Sequence, residues 1–552
     1  MELPSEKYKA DKIEWLIFLL IGLLTTPFVY LFSINGFDPH HTGLMYKSAL
    51  DVARGRVLFR ETFTQYGALT TYVQALFIKV FGENVRAILF STALFYAFDY
   101  MLLYRVARRL LPRALALLSV GVTVMLAPFY FWTFHPWSSV FALFFMILSL
   151  DLLLLFFECS GKTKPLFAAL SGFSATLSFW CRQPVGLVTL LAGVLSLGFA
   201  IVFLTKKRTF SAYMPLALFL AGGALGFLAL DVPILATHAW SDFWQQSVRG
   251  MFTFADSRSG GENFGVWGSV GTLLYNLFVT PFVYDTTPQT VIFAVLPLSA
   301  LIFTVYLAVA AAKKAKKEPD TDAAPACIFL SFGIYAVGAW HQYYPVACFR
   351  HFYWGAFLCV PLLVFLLQKL CFAFPRTKDK KRRVAAGCAL FLASALLVCN
   401  VGSRAVDAGK SIAEIARNRS FENENYHHLD GLRLSDEMTA YYTEYFNTVQ
   451  ALSEKYPDKN IVNTTENAIY AVFGENFCPM FNNTEDFFYP DYPAWQEAYI
   501  REAEPIVIGA TAPEGYVLYR AFPGYDGDWF AEYHKMPANI YLPIALAEGG
   551  AP

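Results

Sequence analysis

Residues 36–82 read GFDPHHTGLMYKSALDVARGRVLFRETFTQYGALTTYVQALFIKVFG. Apolar positions recur at helical spacing over residues 44–54 and again over residues 69–80, with a polar turn between them. The apolar run upstream, residues 15–34, has about the 20 residues that cross a bilayer. This pattern predicts a membrane span followed by a loop, residues 35–86, whose two amphipathic helices lie on the membrane surface without crossing it.

The whole chain has the composition of a polytopic membrane protein. Of its 552 residues, 56% are hydrophobic and only 16% are charged, whereas soluble domains carry about 25% charged residues. This composition excludes a single water-soluble globule and a disordered chain. Apolar runs that predict transmembrane helices lie at residues 15–34, 87–106, 114–132, 138–157, 166–181, 184–204, 213–235, 289–312, 326–343, 352–373 and 384–403.

Basic residues predict the orientation of these spans. With the N-terminus inside and residues 66–82 not crossing, the inner segments carry 22 Lys and Arg residues and the outer loops before residue 404 carry about 10. We therefore predict a polytopic α-helical membrane protein with about 11 transmembrane helices, its N-terminus inside and its C-terminus outside. The first run is too long for a cleaved signal peptide and is expected to remain as an anchor.

The chain divides into two parts of opposite charge. Residues 1–403 carry 33 basic against 20 acidic residues, and residues 404–552 carry 10 against 23. We predict a transmembrane domain over residues 1–403 and a small extracytoplasmic α/β domain over residues 404–552. A second large outer loop is expected at residues 236–288, where the Gly-rich stretch DSRSGGENFG suggests a mobile flap.

The patterns within the C-terminal part are specific enough to predict individual elements. Helical spacing is found at residues 435–455 and 492–503, and short strand-like runs are found at residues 460–463 and 505–508. This mixture is typical of a small α/β domain.

Polar side chains at membrane depth are costly, so their placement is informative. In the predicted orientation, four separate parts of the chain bring polar groups to the outer face: Asp38, His40 and His41; His135; Arg182 and Gln183; His341, Arg350 and His351. Each alone could cap a turn or reach from a helix end. Together they run against the positive-inside trend, and they would suit an anionic headgroup. Asp99 and Asp151 lie nearer the inner side and are expected to hydrogen-bond between helices.

The order of these features resembles the GT-C superfamily of membrane glycosyltransferases. The shared plan is a first span, an acidic residue shortly after it, and interfacial helices with a Tyr-Gly turn, here Tyr66 and Gly67. The chain is most similar to the branch that contains the protein O-mannosyltransferases and the lipid A aminoarabinose transferase. That branch usually has an Asp-Glu pair where this chain has Asp38-Pro39. The Glu is absent, and His40 and His41 are the candidates to replace it.

The resemblance implies a donor sugar carried on a polyprenyl phosphate and a hydroxyl group of a glycan, lipid or protein as acceptor, at the outer face of the cytoplasmic membrane. It implies that Asp38 is the general base of an inverting displacement. Arg182, Arg350 and His351 are expected, from topology, to bind the donor phosphate. Further candidates for the site are His40, His41, Arg60, Glu61, Gln65, Tyr66, His135, Gln183 and His341.

Two other functions remain open at this stage. A transporter or flippase for lipid-linked glycans usually shows internal repeats and polar groups near the bilayer midplane, whereas here the polar groups gather at one face. An oligosaccharide ligase or polymerase would use the same lipid carrier, and the sequence does not separate it.

No cofactor is expected to be required, and no nucleic-acid partner is expected, whereas membrane lipids are. A divalent metal ion stays open, because Asp38, His40 and His41 offer ligand atoms but their spacing fixes no coordination geometry.

Overall fold

The computed structural model describes residues 11–36, 38–130, 134–204, 210–253, 265–283, 288–317, 324–374, 379–472, 492–524 and 535–548. The predicted flap, apart from its last residue, lies outside these ranges. The described chain consists mostly of α-helices.

The helices of the membrane part are α1 (Lys12–Ser33), α2 (His41–Ala53), α3 (Ala68–Phe81), α4 (Val85–Ala107), α5 (Arg113–Met125), α6 (Ser138–Glu158), α7 (Lys164–Cys181), α8 (Gln183–Leu204), α9 (Phe210–Ala236), α10 (Trp240–Phe243), α11 (Gly265–Phe278), α12 (Thr280–Val283), α13 (Pro288–Lys317), α14 (Ala324–Gly338), α15 (Phe349–Ala356), α16 (Cys359–Ala373) and α17 (Lys380–Arg417).

Several helices begin where a polar side chain accepts a backbone N–H group that has no partner within the helix. The Asp11 carboxylate accepts the N–H of Glu14 at 2.8 Å at the start of α1. The Asn84 side chain does the same for Arg86 at 2.8 Å at the start of α4.

Within the described ranges, eight helices are long and apolar enough to cross a membrane, namely α1, α4, α6, α8, α9, α13, α14 and α17. The pair α15 and α16, which meet at an angle of 60°, makes a ninth if it is one span. The predicted runs 114–132 and 166–181 form α5, with 13 residues, and α7, with 18. The protein is therefore a multi-pass membrane protein, and the count of eleven spans stays a prediction.

The centre of the bundle and its lipid-facing surface differ in burial. The apolar stretches of α4 and α6 are 78% and 72% buried, whereas that of α17 is 6% buried. Large apolar side chains such as Leu23 and Phe391 are 69% and 72% exposed. Exposed apolar surface of this extent on long helices is what contact with lipid requires.

The two helices that the sequence predicts in the first loop are confirmed. Helices α2 and α3 cover the stretches 44–54 and 69–80 to within a few residues, and α3, with 14 residues, is shorter than a span. Their position on the membrane surface stays a prediction, and α2 is buried at every residue from His41 to Asp51. The second loop, residues 236–288, contains helical stretches in its described part. It is helical at Trp240–Phe243, Trp244–Arg249, Gly265–Phe278 and Thr280–Val283, because the apolar residues of GVWGSVGTLLYNLF recur at helical spacing.

The C-terminal part contains a small α/β domain. Its elements are β1 (Arg419–Ser420), β2 (Arg433–Leu434), α18 (Asp436–Lys455), β3 (Ile461–Asn463), α19 (Tyr492–Ala503), β4 (Ile506–Gly509), β5 (Tyr516–Arg520), β6 (Asn539–Pro543) and α20 (Ile544–Glu548). One sheet has the strand order β3-β4-β6-β5, with β3 parallel to β4 and the other pairs antiparallel. The predicted helices and strands of this part are confirmed. Helix α17 runs through the predicted domain boundary at residue 404 as far as Arg417.

The C-terminal domain docks at the end of the bundle where α1 ends and α4 begins. The backbone of Arg433 exchanges hydrogen bonds with Ile34 and Gly36, at 2.7 and 2.8 Å. The Asn84 side chain donates to the carbonyls of His427 and Asp430. We call this end of the bundle the tail side, and the opposite end the far side.

Buried ion pairs occupy the far side. Arg109 donates to Asp151 at 2.7 Å and to Glu158 at 2.8 Å, and its side chain is 1% exposed. Glu14 accepts from Arg108 and Arg113, at 2.9 and 3.0 Å. We call the set the far-side cluster; it comprises Asp11, Glu14, Arg105, Arg108, Arg109, Arg113, Asp151 and Glu158.

The two intramembrane carboxyl groups that the sequence singles out thus differ. Asp151 makes the bond between helices that the sequence predicts. Asp99 is buried, and neither of its carboxyl oxygens has a hydrogen-bond partner among the described residues.

Candidate active site

Asp38 lies on the tail side, between the end of α1 and the start of α2. Its Oδ1 accepts the backbone N–H groups of His40 at 2.9 Å and of His41 at 3.0 Å. Its Oδ2 accepts the Nδ1–H of the His41 ring. The side chain is 2% exposed. The sequence D-P-H-H therefore folds into a turn that holds the carboxylate against the first residues of α2.

The described residues donate three hydrogen bonds to the Asp38 carboxylate. A carboxylate offers about four lone-pair positions, and the described residues use two on Oδ1 and one on Oδ2. Nδ1 of His135 lies 3.9 Å from Oδ2, which is beyond hydrogen-bond distance. The remaining position on Oδ2 is where an acceptor hydroxyl could donate.

The charge state of Asp38 follows from burial and from its imidazole neighbours. Burial alone would raise the pKa of Asp38, but His41, His135 and His40 hold that pKa well below its usual range. Burial lowers the pKa of His41 to about 4, although Asp38 opposes this shift. Near neutral pH the pair is thus a carboxylate and a neutral imidazole that donates to it.

A row of rings links Asp38 to Arg182. The ring of His41 lies 4.9 Å from that of Trp137, and Trp137 lies 5.2 Å from Tyr66. The guanidinium carbon of Arg182 lies 5.4 Å from the centre of the Tyr66 ring, in the range of a cation–π contact. Three separate parts of the chain therefore meet in one continuous site.

Close backbone packing brings these parts together. A Cβ atom on Gly67 would lie 2.1 Å from the carbonyl oxygen of Trp180, so only glycine allows α3 to approach the end of α7. Gln183 donates to the carbonyl of Gln65 at 3.5 Å. Gln74 on α3 donates to the carbonyl of Pro136 at 2.9 Å, which fixes the turn that carries His135 and Trp137.

The 338–351 segment adds the remaining cationic and imidazole groups. The Nδ1–H of His341 donates to the carbonyl of Gly338 at 3.0 Å. The charge of Arg182 acts on the rings of His341 and His351. The charge of Arg350 acts on His41, His135 and His351. We call Asp38, His40, His41, His135, Arg182, His341, Arg350 and His351 the tail-side cluster.

Arg182 has no carboxylate partner among the described residues. Its guanidinium donates a hydrogen bond to Tyr66, and Cys348 and Arg350 also act on its charge. Its buried Nη1 has no hydrogen-bond partner in the described part of the chain. The side chain is only partly buried. A guanidinium in this setting can accept an anionic ligand as its partner.

Two further candidates lie apart from this cluster. Arg60 pairs with Glu61 at 2.7 Å, and their side chains are 42% and 40% exposed. Arg60 also donates to the carbonyl of Thr237 at the end of α9, and Glu61 accepts the N–H of Val57. These contacts fix the turn between α2 and α3.

The C-terminal domain also reaches the site, and sequence reasoning missed this. The carbonyl of Glu466 accepts from the His40 ring at 2.7 Å. The N–H of Ile469 donates to the carbonyl of Pro39 at 3.0 Å. Burial and the charges of Tyr441 and Asp38 raise the pKa of Tyr442, which lies on α18, although a hydrogen bond with Tyr470 opposes this shift. No sequence motif marks these residues.

Among the residues that the structure describes, no group of three or more His, Cys, Asp or Glu side chains is arranged to hold a metal ion. Asp38 and His41 bind each other, and the nearest third ligand, His135, is 3.9 Å from Asp38. The arrangement does not fit a metal ion, and no step below uses one.

Comparison with protein families supports the fold assignment. Residues 67–234 match the family of the dolichyl-phosphate-mannose-protein mannosyltransferases. The apo structure of ArnT from Cupriavidus metallidurans superposes with a TM-score of 0.50 and 13% sequence identity, over 96% of this chain and 98% of that protein. The chain has a GT-C fold. The predicted resemblance and fold class are confirmed, and the family match supports a membrane glycosyltransferase.

Other structures are similar at a lower level. ArnT from Cupriavidus metallidurans bound to undecaprenyl phosphate gives a TM-score of 0.46 with 13% identity, over 97% of this chain and 99% of that one. The Archaeoglobus fulgidus oligosaccharyltransferase, in complex with Zn and sulfate, gives 0.40 with 13% identity, over 88% of this chain. The chain spans only 61% of the length of that protein. No curated protein sequence matches the chain.

Proposed function

We propose that the protein transfers a sugar from a polyprenyl-phosphate donor to a hydroxyl group of a glycan, lipid or protein acceptor. The observation that carries the proposal is the juxtaposition of two unlike groups in one site. Asp38 is a buried carboxylate with one open acceptor position, and Arg182 is a cation without a carboxylate partner among the described residues. Transfer from a sugar phosphate needs a base at one end and phosphate binding at the other.

Asp38 is the proposed general base. The acceptor hydroxyl would donate to the open position on Oδ2, and its proton would pass to Asp38 as its oxygen forms a bond to the anomeric carbon. The bond from that carbon to the phosphate oxygen breaks at the same time, and the electron pair leaves with the polyprenyl phosphate. Because this is a single displacement, the anomeric configuration inverts.

The leaving phosphate needs charge stabilisation more than it needs an acid, because the second pKa of a phosphate monoester is about 6. Arg182 supplies a planar set of N–H donors for phosphate oxygens. Arg350 and His351 are the proposed additional donors, and His341 lies close enough to be affected by the Arg182 charge. The guanidinium over Tyr66 would keep its orientation in the absence of donor.

The membrane setting agrees with a lipid-linked donor. The cluster lies at the end of the bundle, on the side where the C-terminal domain docks, so a polyprenyl chain could remain in the bilayer while its phosphate reaches Arg182. We propose that this is the extracytoplasmic side of the cytoplasmic membrane, because the inner segments of the predicted topology carry the excess of basic residues. ArnT, whose fold is similar, has been crystallised with undecaprenyl phosphate.

A transfer assay tests the proposal. Purified protein is incubated with radiolabelled polyprenyl-phosphate hexoses and pentoses, one at a time, together with a membrane glycolipid extract as acceptor. The expected result is labelled product of inverted anomeric configuration and one polyprenyl phosphate released per sugar transferred. Both should fall by about 10³-fold in the Asp38→Asn variant. Movement of an intact donor between the leaflets of proteoliposomes, without release of polyprenyl phosphate, would instead support a flippase.

A ligase or polymerase is the second candidate, because it would use the same lipid carrier and the same two ends of the site. The same assay separates it from a glycosyltransferase: transfer of a whole lipid-linked oligosaccharide, with no transfer from single-sugar donors, would assign that activity.

A further inference from the structure

The C-terminal domain is bonded to the two residues that follow Asp38. The His40 ring donates its Nδ1–H to the carbonyl of Glu466 at 2.7 Å. The N–H of Ile469 donates to the carbonyl of Pro39 at 3.0 Å. Pro39 and His40 belong to the turn in which the N–H groups of His40 and His41 donate to the Asp38 carboxylate.

The approach of the two backbones is close. A Cβ atom on Gly43, in the first turn of α2, would lie 2.2 Å from the backbone nitrogen of Ile469 and 2.8 Å from its Cα. Backbone atoms cannot give way as the end of a flexible side chain can. Any larger residue at position 43 must therefore push residue 469 away from the Asp38 turn.

The C-terminal segment that makes these contacts is itself held firmly. The Asn463 side chain is buried; it accepts the N–H and the hydroxyl of Thr465, at 3.1 and 2.7 Å, and donates to the carbonyls of Thr465 and Asn467. The N–H of Thr464 donates to the carbonyl of Ile508 at 2.8 Å, which ties the segment to β4. The segment is therefore preorganised before it meets the turn.

Docking of the domain does not depend on these contacts alone. The bonds of Arg433 with Ile34 and Gly36, and those of Asn84 with the carbonyls near His427, hold it to the same end of the bundle. The contacts at Pro39, His40 and Gly43 are additional, and they all lie within five residues of Asp38.

We propose that residues 463–469 are a positioning element of the active site. Through Pro39 and His40, this element fixes the turn that orients the Asp38 carboxylate. His40 is then a positioning residue that acts through Asp38 rather than on the substrate. The proposal rests on the proposed function in one respect, because it takes Asp38 to be the base. Displacement of a catalytic group by about 1 Å can lower a rate by about 10²-fold.

Three variants of His40 test which ring nitrogen matters. The side-chain nitrogen of asparagine can occupy the place of Nδ1, and that of glutamine can occupy the place of Nε2. His40→Ala and His40→Gln should lower turnover by about 10²-fold and leave the affinity for undecaprenyl phosphate unchanged. His40→Asn should recover most of the loss. Recovery by His40→Gln but not by His40→Asn would overturn the proposal, because His40 would then act through Nε2. Equal turnover in all three variants would overturn it as well.

Hydrogen exchange provides a test that needs no donor. In the full-length protein, Gly43→Ala should speed amide exchange in both residues 38–44 and residues 464–470. Gly409→Ala is the matched control, since a Cβ atom there meets nothing within 4 Å. If Gly43→Ala changes residues 464–470 and leaves residues 38–44 protected, the segment does not hold the turn. If the wild type transfers no sugar, the proposed function fails, and this experiment still decides whether the segment holds the turn.

Discussion

The two ends of the helix bundle use the same kinds of side chain in opposite ways. On the far side, Arg109 is buried between the carboxylates of Asp151 and Glu158. On the tail side, Arg182 is partly buried and has no carboxylate partner among the described residues. A cation whose charge a carboxylate compensates holds helices together, whereas one without a carboxylate partner is available for an anionic ligand. In this bundle, the presence or absence of a carboxylate partner distinguishes an arginine that stabilises the fold from one that is available to bind a ligand.

The largest expected effect concerns the carboxylate of the tail-side cluster. Asp38→Asn should lower turnover by about 10³-fold, because general bases contribute about 10²–10⁴-fold. The amide oxygen of asparagine can still accept the N–H groups of His40 and His41, so the fold should persist. Turnover in the transfer assay and the Tm of the purified protein are measured together. Wild-type turnover in this variant would remove Asp38 from the role of base.

The far-side cluster should respond in the opposite manner. Arg109→Met leaves two carboxylates without their central partner, and loss of one member of a buried ion pair costs about 3–5 kcal/mol. The free energy of unfolding, measured in detergent, should fall by that amount. The affinity for undecaprenyl phosphate should not change in the protein that remains folded. A weaker affinity in the folded fraction would mean that the two ends are not independent.

Arg182→Met is the matched change on the tail side. Hydrogen bonds to charged groups contribute about 1.5–3 kcal/mol, so the affinity for undecaprenyl phosphate should fall by about 10–100-fold. The free energy of unfolding should change by less than about 1 kcal/mol, because no carboxylate loses its partner. Destabilisation as large as that of Arg109→Met would show that Arg182 stabilises the fold as much as Arg109 does and would break the comparison.

The pH dependence of turnover sharpens the assignment within the tail-side cluster. Burial raises the pKa of Asp38, and the hydrogen bond and charge of His41 lower it. His41→Phe removes the lowering contribution, so the pKa of Asp38 should rise. Since the reaction needs the carboxylate, turnover should be lost at a higher pH than in the wild type as the pH falls. If turnover is lost at the same acidic pH as in the wild type, a group other than Asp38 titrates. Trp137→Phe, which keeps the His41–Asp38 bond, is the control.

The smallest effect is expected for a tail-side cation that is already paired. Arg60 binds Glu61 and the carbonyl of Thr237, and its side chain is 42% exposed. Exposed ion pairs contribute about 0–1 kcal/mol. Arg60→Ala should therefore change the Tm slightly and leave the affinity for undecaprenyl phosphate unchanged. A loss of affinity comparable to that of Arg182→Met would extend the donor site to the turn between α2 and α3.

Much of this architecture could be predicted from periodicity. The helices of the first loop and the helices and strands near residues 435–463 and 492–508 follow local patterns of apolar residues. Such patterns are local properties of the chain. The helix at residues 265–278 of the second loop also follows apolar residues at helical spacing.

The arrangement of the site could be predicted only in part. The groups at residues 38–41, 135, 182 and 341–351 could be assigned to one face because topology brings the ends of alternate spans together. The contact between His40 and Glu466 could not, because it joins a side chain to a backbone carbonyl more than 400 positions away. Because every residue has a backbone carbonyl, the residue type does not reveal which carbonyl is the acceptor.

Mass spectrometry of the lipid that copurifies with the gently solubilised protein tests the central claim most directly. Wild type, Asp38→Asn and Arg182→Met are compared. The account predicts that wild type and Asp38→Asn retain a polyprenyl phosphate or its glycosylated form, and that Arg182→Met retains much less. Ordinary phospholipid alone, bound equally by all three proteins, would contradict the claim that the tail-side cluster binds a lipid-linked sugar donor.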